Sequence, residues 1–162
     1  MIRKCTSEDI SDVVALQKSV ERESAIWGYG ADSPKDWEQR NLAWTFLALE
    51  AGRPVGFIYC APRPHSYECV FPAESKILEI IDLVVASDAR CQRLGHALVA
   101  VVQAQAHAAG FTHLRVYSAA KRFDDIVRFY RDCGFTPWYL VMTKEITAEL
   151  PDVGYHSQTR RT

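Results

Sequence analysis

Two carboxylates, Glu79 and Asp82, interrupt an apolar, β-branched run that extends from Lys76 to Val85. Inside such a strand a carboxylate either pairs with a cation or handles protons, because an unpaired buried charge is costly. Directly after the run comes a short polar segment, Arg90-Cys91-Gln92-Arg93-Leu94-Gly95-His96, followed by a long Ala/Val/Leu pattern with helical spacing. Strand, loop and helix in that order point unpaired backbone N–H groups outward at a helix start, where the positive end of the macrodipole favours an anion. Arg90 and Arg93 add positive charge there, and a phosphate-bearing ligand is the expected occupant. Cys91, next to Arg90, lies in a setting that can lower a thiol pKa; a small loop residue is its plainer reading.

The elements that must position these groups follow from the periodicities. Ile2 begins a short strand, and Thr6-Ser7-Glu8-Asp9 caps an amphipathic helix carrying Ile10, Val13, Val14, Leu16 and Gln17 to about Glu23. From Ser24 to Trp44 aromatics mix with Gly, Pro and acids, which predicts a loop and a short second helix. Its aromatics either line a substrate pocket or pack beneath the loop. Thr45 to Leu49 and Val55 to Cys60 predict a hairpin about Ala51-Gly52-Arg53-Pro54. The prolines of Ala61 to Ser75 predict an irregular insertion or interrupted strand. In Lys76 to Val85 a regular strand would point Glu79 and Asp82 to opposite faces.

The next helix is predicted from about Gln92 to Ala109, with Leu94, Leu98, Val101, Val102 and Ala108 inward and Gly110 as its stop. Phe111 to Tyr117 predicts another strand. Asp124 and Asp125 open a short helix that ends at Gly134 in the left-handed conformation, with Phe135 packing back. Trp138 to Glu145 predicts a last strand. Residues 1–147 read as one domain, and 148–162 as a loose tail.

The chain is 48% hydrophobic and 24% charged over 162 residues, the make-up of one ordinary soluble domain. A formal net charge of -1 leaves no broad footprint for nucleic acid or an acidic membrane, so a basic site must be local. No signal peptide or membrane-spanning run is expected, and the location read from this is cytoplasmic. The five cysteines are widely separated, without a Cys-x-x-Cys pair, which favours free thiols over a disulfide or zinc framework. His96 and His113 have no partners at metal-ligand spacing.

Val85 to Leu98, read with Phe129-Tyr130-Arg131-Asp132-Cys133-Gly134-Phe135, resembles the signature segments of the GNAT superfamily of acetyl-CoA-dependent N-acetyltransferases. The order of elements from about 2 to 146 resembles that family as well. The resemblance implies an α/β (α+β) domain with a mixed, mostly antiparallel central sheet flanked by helices and splayed at the CoA site. It implies that Val84 and Val85 present backbone groups to the pantetheine arm, and that Arg90, Cys91, Gln92, Arg93, Leu94, Gly95 and His96 surround the diphosphate. Gly95 would lie where the backbone passes closest to it. Arg93 stands where the family's first glycine is expected, which is acceptable wherever φ stays negative. Phe123 stands where many members have an asparagine that contacts CoA.

Tyr130 falls on the family's tyrosine, which protonates the departing thiolate, and Glu79 resembles the general-base glutamate of histone-acetylating members in its placement; Asp82 is the rival base. The chemistry fits these types. An alkylamine is mostly ammonium at neutral pH and must lose a proton before it attacks a thioester, and a carboxylate can take that proton. Backbone N–H groups of the splayed strand can polarise the thioester carbonyl. No metal is required. The acceptor is read as the primary amine of a small molecule or a peptide, attacking directly in a ternary complex, with a homodimer as an open option for assembly. The alternatives are a non-catalytic acyl-CoA-binding or sensing domain and, lacking a phosphate-loop Gly-Lys-Ser/Thr, a nucleotide-binding module.

Overall fold

Short-range signals are answered locally. The carboxylate of Asp9 accepts the Thr6 N–H at 2.8 Å and the Arg3 guanidinium at 2.6 Å, which secures the entry to helix α1 (Ile10–Glu23). Ser33 and Pro34 start α2 (Pro34–Glu38) in the same way, with the Ser33 and Asp36 side chains capping each other. The computed structural model describes residues 1–64, 71–90, 92–138 and 142. Outside these lie Cys91, the segment with His65, Tyr67 and Cys69, nearly all of the last predicted strand, and the tail.

The remaining elements are β1 (Ile2–Lys4), β2 (Thr45–Glu50), β3 (Arg53–Arg63), β4 (Ile77–Val85), α3 (Leu94–Ala108), β5 (His113–Val116) and α4 (Phe123–Asp132). They form an open sheet in the order β1-β2-β3-β4-β5, antiparallel except for the parallel pair β4/β5. The expected mixed, mostly antiparallel sheet flanked by helices is therefore present. β3 runs past Cys60 through Pro62 to Arg63, so the proline-rich stretch begins as strand.

Alternation divides the sheet into two faces. Phe46, Ala48, Ile58, Cys60, Leu78 and Ile80 pack with Leu98, Val99, Val102 and Ala106 of α3. Leu47, Phe57 and Val84 pack on the other face with Val13, Val14, Leu16 and Val20 of α1 and with Trp37 of α2. Val99 and Ala106 complete the buried stripe of α3, whereas Ala108, expected inward, is exposed. Trp37 is fully buried at 0% exposure, so this aromatic of the 24–44 stretch is core. Among the described residues no helix is long and apolar enough to cross a membrane.

Two irregularities shape the middle of the sheet. β5 pairs with β4 only from Ile77 to Ile80, so beyond Ile80 the outer edge of β4 has no strand partner among the described residues. At the same point β4 carries a bulge: Tyr59 pairs with Asp82 and Cys60 with Ile80, leaving Ile81 as the extra residue. Gly56 sits opposite Val85, where an added Cβ would come within 2.7 Å of the Val84 carbonyl oxygen. Backbone cannot yield there as a side chain could. Gly56→Ala is expected to cost about 1–3 kcal/mol, the range for overpacking. At roughly 2–4 °C per kcal/mol, thermal denaturation should show a Tm several degrees lower.

Candidate active site

The bulge places both carboxylates on one face. Asp82 lies opposite Tyr59 and Glu79 opposite Ala61, and those β3 residues are two apart, so their partners share the α1 side. The opposite orientation expected for a regular strand is thereby corrected: the extra residue, Ile81, shifts the alternation by one.

Their surroundings differ. Glu79 is buried, with 8% of its surface exposed, and both oxygens face guanidinium groups. Oε1 accepts from Arg63 Nε at 3.0 Å, and Oε2 accepts from Arg115 Nε at 2.8 Å and Nη2 at 2.5 Å. Asp82 instead accepts one hydrogen bond, at 2.8 Å, from Gln17 Nε2. The same nitrogen donates to Asp32 at 2.8 Å, while Gln17 Oε1 accepts from Trp37 Nε1 at 2.9 Å and from the Asp32 N–H at 3.2 Å. Asp32 is matched in turn by Arg40 at 2.9 Å, whose guanidinium lies over the Trp37 and Tyr59 rings.

Burial pushes the Asp82 carboxyl above the ordinary carboxylate value, and the Asp32 charge adds to the rise; the Gln17 bond and Arg40 act against it. Tyr29 faces this group from the loop after α1. Burial, and then the Asp82 charge, raise its phenol above the ordinary value, yet its solvent-shielded hydroxyl has no partner of good hydrogen-bond geometry among the described residues. Gln17, Tyr29, Asp32 and Arg40 were not singled out as site residues in the sequence. Gln17 carried a signal as an amide within an apolar helical stripe, and Tyr29 and Asp32 lie among the aromatics and acids of the 24–44 stretch.

The loop between β4 and α3 retains the shape of a glycine turn without the glycine. Arg93 has φ 60° and ψ 17°, left-handed, so the negative φ expected there is corrected. This conformation costs an L-residue roughly 1–2 kcal/mol. It stands at the N-cap of α3, and the exposed Gln92 and Arg93 lie at that helix start. Arg90 is already engaged: its guanidinium bonds Glu23 at 2.7 and 2.9 Å, and its Nε donates to the Val85 carbonyl at 3.0 Å. Val84 is buried, and Val85 and Leu94 are half-buried against the α3 side.

Gly95 has a structural role as well: an added Cβ would lie 3.1 Å from the Phe129 ring. Its missing side chain lets α3 approach α4. His96 stacks edge-on against the same ring at 4.8 Å, and its Nε2 is buried without a hydrogen-bond partner among the described residues.

Tyr130 is on α4, whose end is the expected left-handed glycine cap. Gly134 has φ 87°, the Gly134 and Phe135 N–H groups donate back to Arg131 and Tyr130, and the Phe135 ring meets Tyr130 at 5.3 Å. Burial raises the Tyr130 phenol above its ordinary value, with smaller contributions from Cys133, Cys60 and Asp82. It is therefore protonated at neutral pH, and its hydroxyl makes no hydrogen bond to the described residues. Phe123, at the first position of α4, is 54% exposed. A strap joins the ends of two elements nearby: Ile26 bridges Ala120, the Trp27 N–H donates to Ala119 at 2.9 Å, and Lys121 lies over the Trp27 ring at 4.7 Å.

The model of the acetyltransferase (GNAT) family matches residues 14–135. No curated protein matches the chain. Among solved structures, an aminoglycoside acetyltransferase from an uncultured soil metagenomic sample, in complex with trehalose, is 22% identical with a TM-score of 0.68, covering 92% of this chain and 96% of that one. The aminoglycoside N-acetyltransferase AAC(6')-Iy in complex with CoA is 15% identical with a TM-score of 0.68, covering 91% and 99%. A ribosomal-protein-alanine N-acetyltransferase from Brucella melitensis is 22% identical with a TM-score of 0.60, covering 82% of each chain. At these identities the likeness is one of fold.

Proposed function

The chain belongs to the acetyltransferase (GNAT) family, and from that premise we propose that it transfers the acetyl group of acetyl-CoA to a primary amine, with Asp82 as general base and Tyr130 as proton donor. One observation carries the reading: where β4 loses its β5 partner, a carboxyl with a raised pKa and a protonated phenol stand within electrostatic reach of each other. Bound there, acetyl-CoA supplies an activated acyl group and a thiolate leaving group.

The residues present fit that ligand. Among the described residues the β4 edge beyond Ile80 offers backbone groups without a strand partner, and the first turn of α3 offers unpaired N–H groups beside Arg93. Asp82, with one oxygen on Gln17, accepts the proton of the amine. The Tyr130 hydroxyl donates to the departing sulfur. Glu79, the base suggested by resemblance, fits a structural role better, because arginines take both of its oxygens. The proposed catalytic domain spans residues 1–147, and its proposed location is the cytoplasm.

Saturating acetyl-CoA, at about a hundred times its Kd, is expected to stabilise the fold by roughly 2.7 kcal/mol. That corresponds to a Tm rise of several degrees at roughly 2–4 °C per kcal/mol. Thiol release from acetyl-CoA over an amine panel, with mass detection of acetylated product, tests the transfer itself. Stabilisation without turnover would favour an acyl-CoA-binding domain, and no stabilisation at millimolar ligand would remove CoA from the account.

A further inference from the structure

Among the described residues the face that carries Asp82 is not an acidic one. Three carboxylates, Asp32, Glu79 and Asp82, are met there by three guanidinium groups, Arg40, Arg63 and Arg115. Arg40 matches Asp32, and Arg63 and Arg115 together enclose Glu79, so Asp82 alone keeps an oxygen without a hydrogen-bond partner of good geometry among the described residues. A polycation gains no net attraction from such a surface. Arg63 goes further. Its side chain is 45% exposed, it spends only Nε on Glu79, and its Nη groups have no partner among the described residues. A guanidinium with a free outer edge is suited to a carboxylate, which it binds through parallel hydrogen bonds.

We infer that the acceptor is an amino carboxylate, with its amine at Asp82 and its carboxylate on Arg63. This rests on the reading of Asp82 as the base. The register sets the length of the molecule. Asp82 lies opposite Tyr59, Glu79 opposite Ala61 one pleat repeat further on, and the Arg63 guanidinium reaches back to Glu79. One repeat is about 6.7 Å along a strand, so the amine and carboxylate are separated by on the order of 7–8 Å. An extended chain of about five methylenes spans that distance, given ordinary covalent geometry. An α-amino acid, with both groups on one carbon, is too short to engage both residues.

The test is thiol release from acetyl-CoA with a series of unbranched amino carboxylates, the terminal amine and the carboxylate being separated by one methylene in the shortest and by six in the longest. Each is compared with the alkylamine of equal length lacking the carboxylate. We expect kcat/KM to peak near five methylenes, at least tenfold above the matched alkylamine, and Arg63→Gln to reduce that ratio to within about twofold. Arg63→Lys, which keeps the charge but not the fork, should retain part of the preference. The ratio is read on folded enzyme in both arms, so a purely structural role for Arg63 would lower both rates and leave it unchanged, which overturns the assignment. Equal or better turnover of the alkylamines, or of the polycationic aminoglycoside sisomicin, also overturns it while leaving N-acetyl transfer intact. No thiol release with any amine removes the transferase reading and this assignment together.

Discussion

Asp82→Asn is expected to lower kcat by about 10²- to 10⁴-fold, the range for loss of a positioned base, while making the protein more stable at neutral pH. The barrier should rise by roughly 2.7–5.5 kcal/mol at 1.36 kcal/mol per decade. Shape and the bond from Gln17 are retained, since the amide oxygen of asparagine still accepts from Nε2. The stability effect follows from linkage. Burial raises the folded-state pKa of Asp82 above its unfolded value, so the native protein binds the proton more tightly than the unfolded chain does. Below the ordinary carboxylate pKa of about 3.9 that contribution is fully present, and it is lost as pH rises through the folded value. The asparagine variant lacks this loss. Its advantage in denaturant midpoint should therefore grow from about pH 4 upward and vanish in acid. Activity of the parent should move the other way, rising with pH as Asp82 ionises, with its acid limb above the ordinary carboxylate range. If Asp82→Asn is fully active and Glu79→Gln is not, the base is Glu79 and its arginine partners must part during turnover.

Tyr130→Phe is expected to lower kcat by more than about tenfold, at least roughly 1.4 kcal/mol in the barrier, with little change in Tm or in the Kd of acetyl-CoA. The variant loses one oxygen. Its ring contacts with Phe129 and Phe135, at centroid distances of 5.0 and 5.3 Å, remain, and no hydrogen bond to the described residues is lost. The raised pKa keeps the phenol protonated at neutral pH, the form that the proposed donation to the departing sulfur requires. A core role predicts the reverse, a lower Tm with turnover per folded molecule retained. Measuring both on the one variant separates the two.

Much of this molecule is legible from local spacing. The apolar stripe of Ile10 to Val20, the β-branched run before Val85 and the Gly134-Phe135 cap each specify an element by its own period or terminus, and each element formed where expected. The segment after β4 was legible as a helix start because a polar turn followed by a helical apolar pattern is a local signal whatever packs around it. The family was readable from two short segments for the same reason, since both are defined by residues close in sequence.

What the sequence by itself determined, then, was the described elements through α4, their family and the two carboxylates, because periodicity and caps depend on neighbours within a few residues. Which carboxylate keeps a free oxygen was decided only by tertiary structure. The bulge at Ile81 depends on the register between β3 and β4, and one residue of slip reverses the face of every side chain beyond it. Glu79 is claimed by Arg63 and by Arg115, 36 residues away in the chain, and Asp82 is oriented by Gln17, 65 residues away. The left-handed φ of Arg93 likewise runs against the local preference of an L-residue, at a cost of roughly 1–2 kcal/mol. Long-range pairing of this kind leaves no periodic trace in the chain, so the different surroundings of the two carboxylates emerge only once the strands are in register.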